Sequence, residues 1–211
     1  MTKQNIITKF ELYIDDTTDL STSEESDLFD KWYSIVCNDR PWEFLKKNAT
    51  GSVSTSLPYI TLPTDFSYIL ANANHSENSY ASEFPVVWVS KDNGNTYSPF
   101  RVVSWSDRRS YRNQDGICYV DIVNSRLYFA FQQTGAWLYD FDYKAYPTAL
   151  ALGDTPAIPA AYQDVIYHGM CSDDFIIQQS DKAKSYKAEN EDRFKYYLQQ
   201  MAYWNSNLIQ Q

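Results

Sequence analysis

The chain lacks most of what would mark an enzyme, a secreted scaffold or a protein that grips nucleic acid. Its 211 residues hold only three cysteines, Cys37, Cys118 and Cys171. An odd number with no close pair supports neither a disulfide framework nor a zinc site, and fits reduced thiols in a cytoplasmically made protein. The net charge is −9, and no Lys/Arg run exceeds the pairs Lys46-Lys47 and Arg108-Arg109. Affinity for nucleic acid comes from neutralised phosphates, so this balance argues against a grip on DNA while leaving room for a conduit that DNA slides through. No stretch approaches the roughly 20 apolar residues of a membrane span, and the apolar run near Met1 is too short for a signal peptide. There is no G-x-S-x-G, Walker loop or H-E-x-x-H, no repeat and no low-complexity block. No metal or cofactor is expected.

Aromatic residues are abundant: 18 Tyr, 11 Phe and 6 Trp make 17% of the chain. Tyr and Trp suit surfaces that are part apolar and part wet, and a β-rich core uses them equally. Ile6 to Ile14 reads as a short strand. Ser21 with Glu24, or Thr22 with Glu25, has capping-box spacing, and Leu28, Trp32, Ile35 and Val36 then give one apolar helix face. That helix should stop near Asn38, because Pro41 biases Arg40 away from helical angles. Trp42, Phe44 and Leu45 are expected in the core, with Lys46 and Lys47 outside.

From Gly51 to Pro147 the period becomes two. Candidate strands are 52–57, 66–72, 86–90, 97–105, 117–123, 126–132 and 136–143. Trp137, Tyr139, Phe141 and Tyr143 share one face, with Asp140 and Asp142 opposite, as in a half-buried antiparallel strand. Asn124-Ser125 is a tight turn. Lys91 to Asn95 is a hairpin loop in which Gly94 supplies a positive φ. His75, within 72–82, sits in an exposed loop.

Residues 147–158 form a linker, with Pro156 and Pro159 framing a helix start. Two helices are expected, 159–179 and about 182–204, joined at Gln179-Ser180-Asp181 with Ser180 or Asp181 capping the second. The first carries a stripe of Tyr162, Val165, Ile166, Gly169, Met170, Ile176 and Ile177, interrupted by Asp173. A mid-helix glycine costs about 1 kcal/mol relative to Ala, and a close helix crossing would justify Gly169. The second helix shows Ala183, Tyr186, Phe194, Tyr197, Leu198, Met201 and Trp204, with Asn190 in the seam. The polar end 205–211 should fray unless something receives it. The expected fold class is α+β: a helical core, made of the N-terminal helix plus the C-terminal helical hairpin, with an inserted antiparallel β region. The core would take residues 1–50 and 147–211 with an extended C-terminal tail, and the insertion residues 51–146.

Chemistry is sparse. The carboxylate pairs Asp140/Asp142 and Asp173/Asp174 lie where an exposed strand and a helix would carry them anyway, and His168 with Cys171 reads as an interface histidine and a buried thiol. Ser90 to Tyr97 (S-K-D-N-G-N-T-Y) looks like the Asp-box of sialidase-type propeller hairpins, with Tyr97 in place of Trp. It occurs once, in a chain too short for a typical propeller, and stabilises a hairpin without being catalytic. A glycan- or receptor-binding β module would instead show exposed aromatic residues in a row on one sheet face, with Trp88 and Trp105 as candidates.

The order of segments carries a resemblance. Arg40-Pro41-Trp42-Glu43-Phe44-Leu45 follows the first helix. Leu62-Pro63-Thr64-Asp65-Phe66 leads into a strand, and Arg126-Leu127-Tyr128-Phe129 precedes one ending in Asp142-Tyr143. Ile158 to Gly169 (I-P-A-A-Y-Q-D-V-I-Y-H-G) then opens the hairpin, and Asp181-Lys182-Ala183-Lys184-Ser185-Tyr186 begins its second helix. Taken together, over roughly residues 23–200, this resembles the head-to-tail adaptor (connector) proteins of tailed bacteriophages. The resemblance implies a structural virion protein of the neck, made in the host cytoplasm and without enzymatic activity. It would form a homo-oligomeric ring, commonly twelve-fold, between the portal protein and a tail or nozzle protein, around a channel through which DNA passes during genome ejection. The C-terminal segment would clamp the portal, with Tyr196, Tyr203, Trp204, Leu208 and Ile209 as contacts. Tyr162, Gly169, Asp173 and Tyr186 are the candidates for contact between subunits.

Overall fold

A computed structural model describes residues 1–14, 20–55, 57–71, 84–131, 135–179 and 181–209. The chain divides into two compact units: Met1–Leu45 with Pro147–Gln211, and Lys46–Tyr146. The division falls at Leu45–Lys46 and not at 50–51, because a strand already begins at Lys46, opposite Lys144. The His75 loop expectation lies outside the described residues.

In the helical unit, α1 (Lys3–Ile14) replaces the strand expected over 6–14. Ile6, Ile7, Phe10 and Ile14 are all buried. Their spacing of one, four and eight residues lines a helix stripe, whereas in a strand Ile6 and Ile7 would point to opposite faces. The linker holds the start of this helix: the N–H groups of Lys3 and Gln4 donate to the carbonyls of Asp154 and Leu152. Helix α2 (Thr22–Asn38) is capped by Ser21 and Glu24, the first of the two alternatives, with both halves of the capping box formed. Its buried face is rotated from the expected one. Leu28, Phe29, Tyr33, Val36 and Cys37 are buried, Trp32 is half-buried and Ile35 is exposed. Past the helix, the Trp42 indole N–H donates to the carbonyl of Val36 at 2.7 Å and turns the chain back onto the core, where Leu45 is also buried.

The expected helix 159–179 is three pieces: a 3-10 turn at Ala160–Tyr162, α3 (Asp164–Ser172) and α4 (Asp174–Gln179). The break is Asp173, whose backbone is extended (φ −64°, ψ 134°) and whose carboxylate accepts the Phe175 N–H at 3.1 Å. Helix α3 is buried nearly all round and packs against α1, α2 and the long last helix α6 (Lys187–Ile209). A short α5 (Asp181–Ser185) precedes α6, and Tyr186 is a turn between them. No free tail begins after Trp204, since α6 continues to Ile209. Asn205 is buried, and its side-chain carbonyl accepts the Glu43 N–H at 2.8 Å.

The expectation of a helical core carrying an antiparallel insertion is corrected by the second unit. It is an eight-stranded mixed sheet with a hydrophobic core of its own, so the fold is α+β with the sheet as a full structural unit. Its strands are β1 (Lys46–Val53), β2 (Tyr59–Thr61), β3 (Phe66–Ile69), β4 (Val86–Ser90), β5 (Ser98–Val103), β6 (Ile117–Asp121), β7 (Arg126–Phe129) and β8 (Trp137–Ala145). They lie in the order β1-β8-β4-β5-β6-β7-β2, with β3 also paired to β8. All pairs are antiparallel except β5 with β6, which run parallel. A parallel neighbour needs a crossover of a dozen or so residues. Residues 104–116, which include a 3-10 turn at Trp105–Arg109, supply it. Sequence periodicity registers alternation but not strand direction, and β2 is only three residues long; the parallel pair and β2 were both unforeseen. Trp137, Phe141 and Tyr143 are buried on one face of β8, as its alternation requires, while Asp140 and Asp142 share the side-chain amide of Asn48 at 2.7 and 3.0 Å.

Candidate functional site

The residues proposed for the portal contact lie on α6. Tyr196 and Tyr203, seven residues apart and so on one helix face, are 57% and 69% exposed. Leu208 is exposed as well, whereas Trp204 is half-buried with its ring 6.1 Å from that of Tyr162. The side chain of Ile209 lies outside the described residues.

The residues proposed for contact between subunits separate into two kinds. Tyr162 is half-buried and Tyr186 is exposed, with the Tyr186 ring edge-on to Tyr13 at 6.4 Å. Gly169 and Asp173 are buried inside the helical unit, and their oddities have one explanation within the chain, Trp32. Its indole lies over Gly169 so closely that a Cβ there would enter the ring. Its N–H donates to Oδ2 of Asp173 at 2.7 Å, and Lys31 pairs with the same oxygen at 2.6 Å.

Beside α3 a cleft of about 350 Å³ is lined by Lys9, Tyr13, Asp164, His168, Asn190 and Arg193, among others. Asn190 is its organiser. Its carbonyl oxygen faces His168 Nδ1 at 3.0 Å, and its amide donates to the Tyr13 hydroxyl at 2.9 Å and to the Tyr186 carbonyl at 3.1 Å. Tyr197 stacks on the imidazole with ring centroids 5.5 Å apart. The cleft's cations are paired, Lys9 with Asp164 at 2.7 Å and Arg193 with Glu189 at 2.7 Å. Burial pushes the His168 pKa below its ordinary value, and the hydrogen bond to Asn190 opposes this only in part. Burial holds the Cys171 thiol up at about 12, so this cysteine is a neutral thiol at pH 7. The link through Asn190 was legible only as a polar residue in a seam.

The Asp-box forms as its residues dictate. Asp92 accepts from the backbone N–H of Thr96 at 2.9 Å and from the hydroxyls of Thr96 and Ser90, and the Ser90 oxygen accepts the Gly94 N–H at 2.8 Å. Asn93 and Gly94 take positive φ, 62° and 91°. The Thr96 and Ser90 hydrogen bonds hold the Asp92 pKa down at about 2.

Of the two tryptophans offered for an aromatic row, Trp88 is buried and Trp105 is 38% exposed. Trp105 packs on both Tyr119 and Tyr128, at 5.5 and 5.9 Å between ring centroids, in an aromatic row that sequence reasoning missed. Tyr59, Tyr128 and Tyr119 are directly paired across β2, β7 and β6, on the face opposite the core residues Ile60, Leu127 and Cys118. Centroids are 5.2 Å apart for Tyr59–Tyr128, 5.5 Å for Tyr128–Tyr119 and 5.5 Å for Tyr119–Trp105. A guanidinium covers each end, Arg126 over Tyr59 at 4.1 Å and Arg108 over Trp105 at 4.2 Å. The signal was the alternation of Tyr with core residues in 59–60, 119–120 and 127–128, but register across strands is needed to align them. Among the described residues there is no group of three or more His, Cys, Asp or Glu side chains placed to hold a metal ion, and no helix long and apolar enough to cross a membrane. No protein-family model matches the sequence, and no curated protein matches it either.

Proposed function

We propose that this chain is a structural, non-enzymatic virion protein: a head-to-tail adaptor of a tailed bacteriophage. It forms a ring in the neck between the portal protein and a tail or nozzle protein, and the genome passes through that ring on ejection without sequence-specific contact. The reading is carried by one observation, the segment Ile158 to Gly169. This part of the adaptor resemblance builds α3, the helix against which α1, α2 and α6 all pack. The net charge of −9 suits a conduit that must not hold DNA. Exposed Tyr196 and Tyr203 on α6 supply rigid aromatic contact area of the kind that anchors interfaces.

Cosedimentation with a portal ring tests it. The wild-type chain should pellet with the portal, and Tyr196→Ala/Tyr203→Ala should not. A deletion for this purpose starts at Ser206, because removing Asn205 would also strip the Glu43 N–H of its acceptor. A wild-type chain that binds no portal ring refutes the assignment.

A second reading, a glycan- or receptor-binding β module, draws on the row Tyr59–Tyr128–Tyr119–Trp105. Sugars stack on open ring faces, and here guanidiniums cover a face of Tyr59 and of Trp105, so the adaptor reading is preferred. Binding to a glycan array that Trp105→Ala abolishes would reverse the preference.

A further inference from the structure

The charge of the chain is unevenly divided. Residues 46–146 contain nine basic and nine acidic side chains, so the β unit is formally neutral. The helical unit contains nine basic and eighteen acidic ones and carries the whole −9. Within the neutral unit, Arg108 and Arg126 cap the aromatic row, Arg109 and Arg112 lie in the same crossover as Arg108 beside Asp107 and the Lys91-paired Asp115, and Asp121 lies opposite Arg126. Among the described residues none of these four arginines forms an ion pair, whereas Lys3, Lys9, Lys31, Lys47, Lys91 and Lys187 all do.

We infer that the face Tyr59–Tyr128–Tyr119–Trp105, with Arg108 and Arg126, is where one copy of this chain docks on the acidic helical unit of a second copy. The inference rests on the ring reading and names the surface that would build the ring. Tyr, Trp and Arg together are the composition of interface hot spots. The Arg126 guanidinium is already oriented, stacked on Tyr59 and donating to the Tyr128 hydroxyl at 3.4 Å, so less side-chain freedom is lost on docking. The strands that carry Tyr119 and Tyr128 end in an apolar turn. The β6–β7 turn exposes Ile122 at 68% and Val123 at 93%. A phosphodiester chain gains nothing from two aliphatic side chains beside its cation sites, whereas a protein surface buries them. Because the face and its acceptor are different surfaces, the contact is heterologous, and repeated from copy to copy it closes into a ring or grows as a filament.

Sedimentation velocity of the full chain, from micromolar to submillimolar concentration at about 50 mM and about 500 mM salt, tests this. Wild type should associate with rising concentration at low salt and lose most of that association at high salt. Arg108→Glu/Arg126→Glu and, separately, Val123→Asp should each weaken association at least about tenfold with unchanged circular dichroism. Val123 lies on an exposed turn, so its variant folds whatever the role of the face. If wild type associates and both variants do so equally well, the surface is wrong while the ring reading stands. If wild type stays monomeric throughout, docking between free copies is overturned, and the portal experiment decides the ring reading by itself. If a labelled single-stranded oligonucleotide binds wild type but not Arg108→Glu/Arg126→Glu, the face belongs to nucleic acid and the inference falls.

Discussion

Trp32 on α2 lies flat against Gly169 on α3, and the glycine is the condition for that approach: a Cβ at 169 would sit within the indole ring. The same indole binds Asp173 one turn further on, where α3 ends. One side chain therefore sets both how closely the two helices approach and where the second one breaks.

Gly169→Ala should destabilise the helical unit even though alanine is the better helix former by about 1 kcal/mol. Overpacking a filled site costs about 1–3 kcal/mol, and Phe194 of α6 packs edge-on against the same indole with centroids 5.1 Å apart. Chemical denaturation of Gly169→Ala, Trp32→Leu and the double variant checks this. The alanine penalty should shrink or change sign in the Trp32→Leu background, and strict additivity of the two would sink the account.

Asp173→Ala should cost about 1–3 kcal/mol, because it takes the acceptor from the part-buried Trp32 N–H and the cap from Phe175. Lys31 pairs with the same carboxylate, but its side chain is 56% exposed, and Lys31→Ala should cost less than about 1 kcal/mol. Urea midpoints of the two variants measured side by side give the ratio. Equal losses would mean that the ion pair, and not the indole hydrogen bond, is what matters.

His168 and Glu25 should act on stability in opposite directions, both on the acid side of neutrality. His168 has a folded pKa below its unfolded value, so the unfolded state binds the extra proton. Its contribution is full above the unfolded value of about 6.5 and is lost as pH falls below it. Glu25 has the opposite sign. Burial, with the neighbouring Glu11 carboxyl adding repulsion and a hydrogen bond, raises its pKa to about 7, so its contribution is full in acid and lost as pH rises from about 4.5 through 7. Glu25→Gln should raise the melting temperature at pH 8 and leave it little changed at pH 4. His168→Gln should flatten the acid limb between pH 5 and 6.5. Melting curves across pH 4–9 decide, and an unchanged profile in both variants would refute the assignments.

Asp92 makes the hairpin between β4 and β5 acid-sensitive. Its pKa is held near 2, so its contribution is full above the unfolded value of about 3.8 and disappears as pH falls toward 2. Asp92→Ala should increase amide hydrogen exchange at Gly94 and Thr96, whose N–H groups donate to Ser90 and Asp92, without affecting α3. Exchange measured by NMR checks it, and protection retained at Thr96 would show that the turn holds without the carboxylate.

The sequence by itself determined the structures whose partners are neighbours in the chain. The capping box at Ser21 and Glu24, the Asp-box turn with its positive-φ Gly94, the Asn124-Ser125 turn and the in–out alternation of β8 all close over a few residues, so residue type and spacing suffice. Tertiary structure decided what depends on distant partners. Ile6 to Ile14 became a helix because its stripe meets α2 and α3, and α2 turned Phe29 and Tyr33 inward in place of Ile35. The helix over 159–179 broke at Asp173 because Trp32 and Lys31 hold its carboxylate. β5 and β6 ran parallel because a crossover brought them side by side. The aromatic row belongs to the same class. Tyr59, Tyr119 and Tyr128 lie far apart in the sequence, and only strand register, fixed by burying the opposite face, puts them in line.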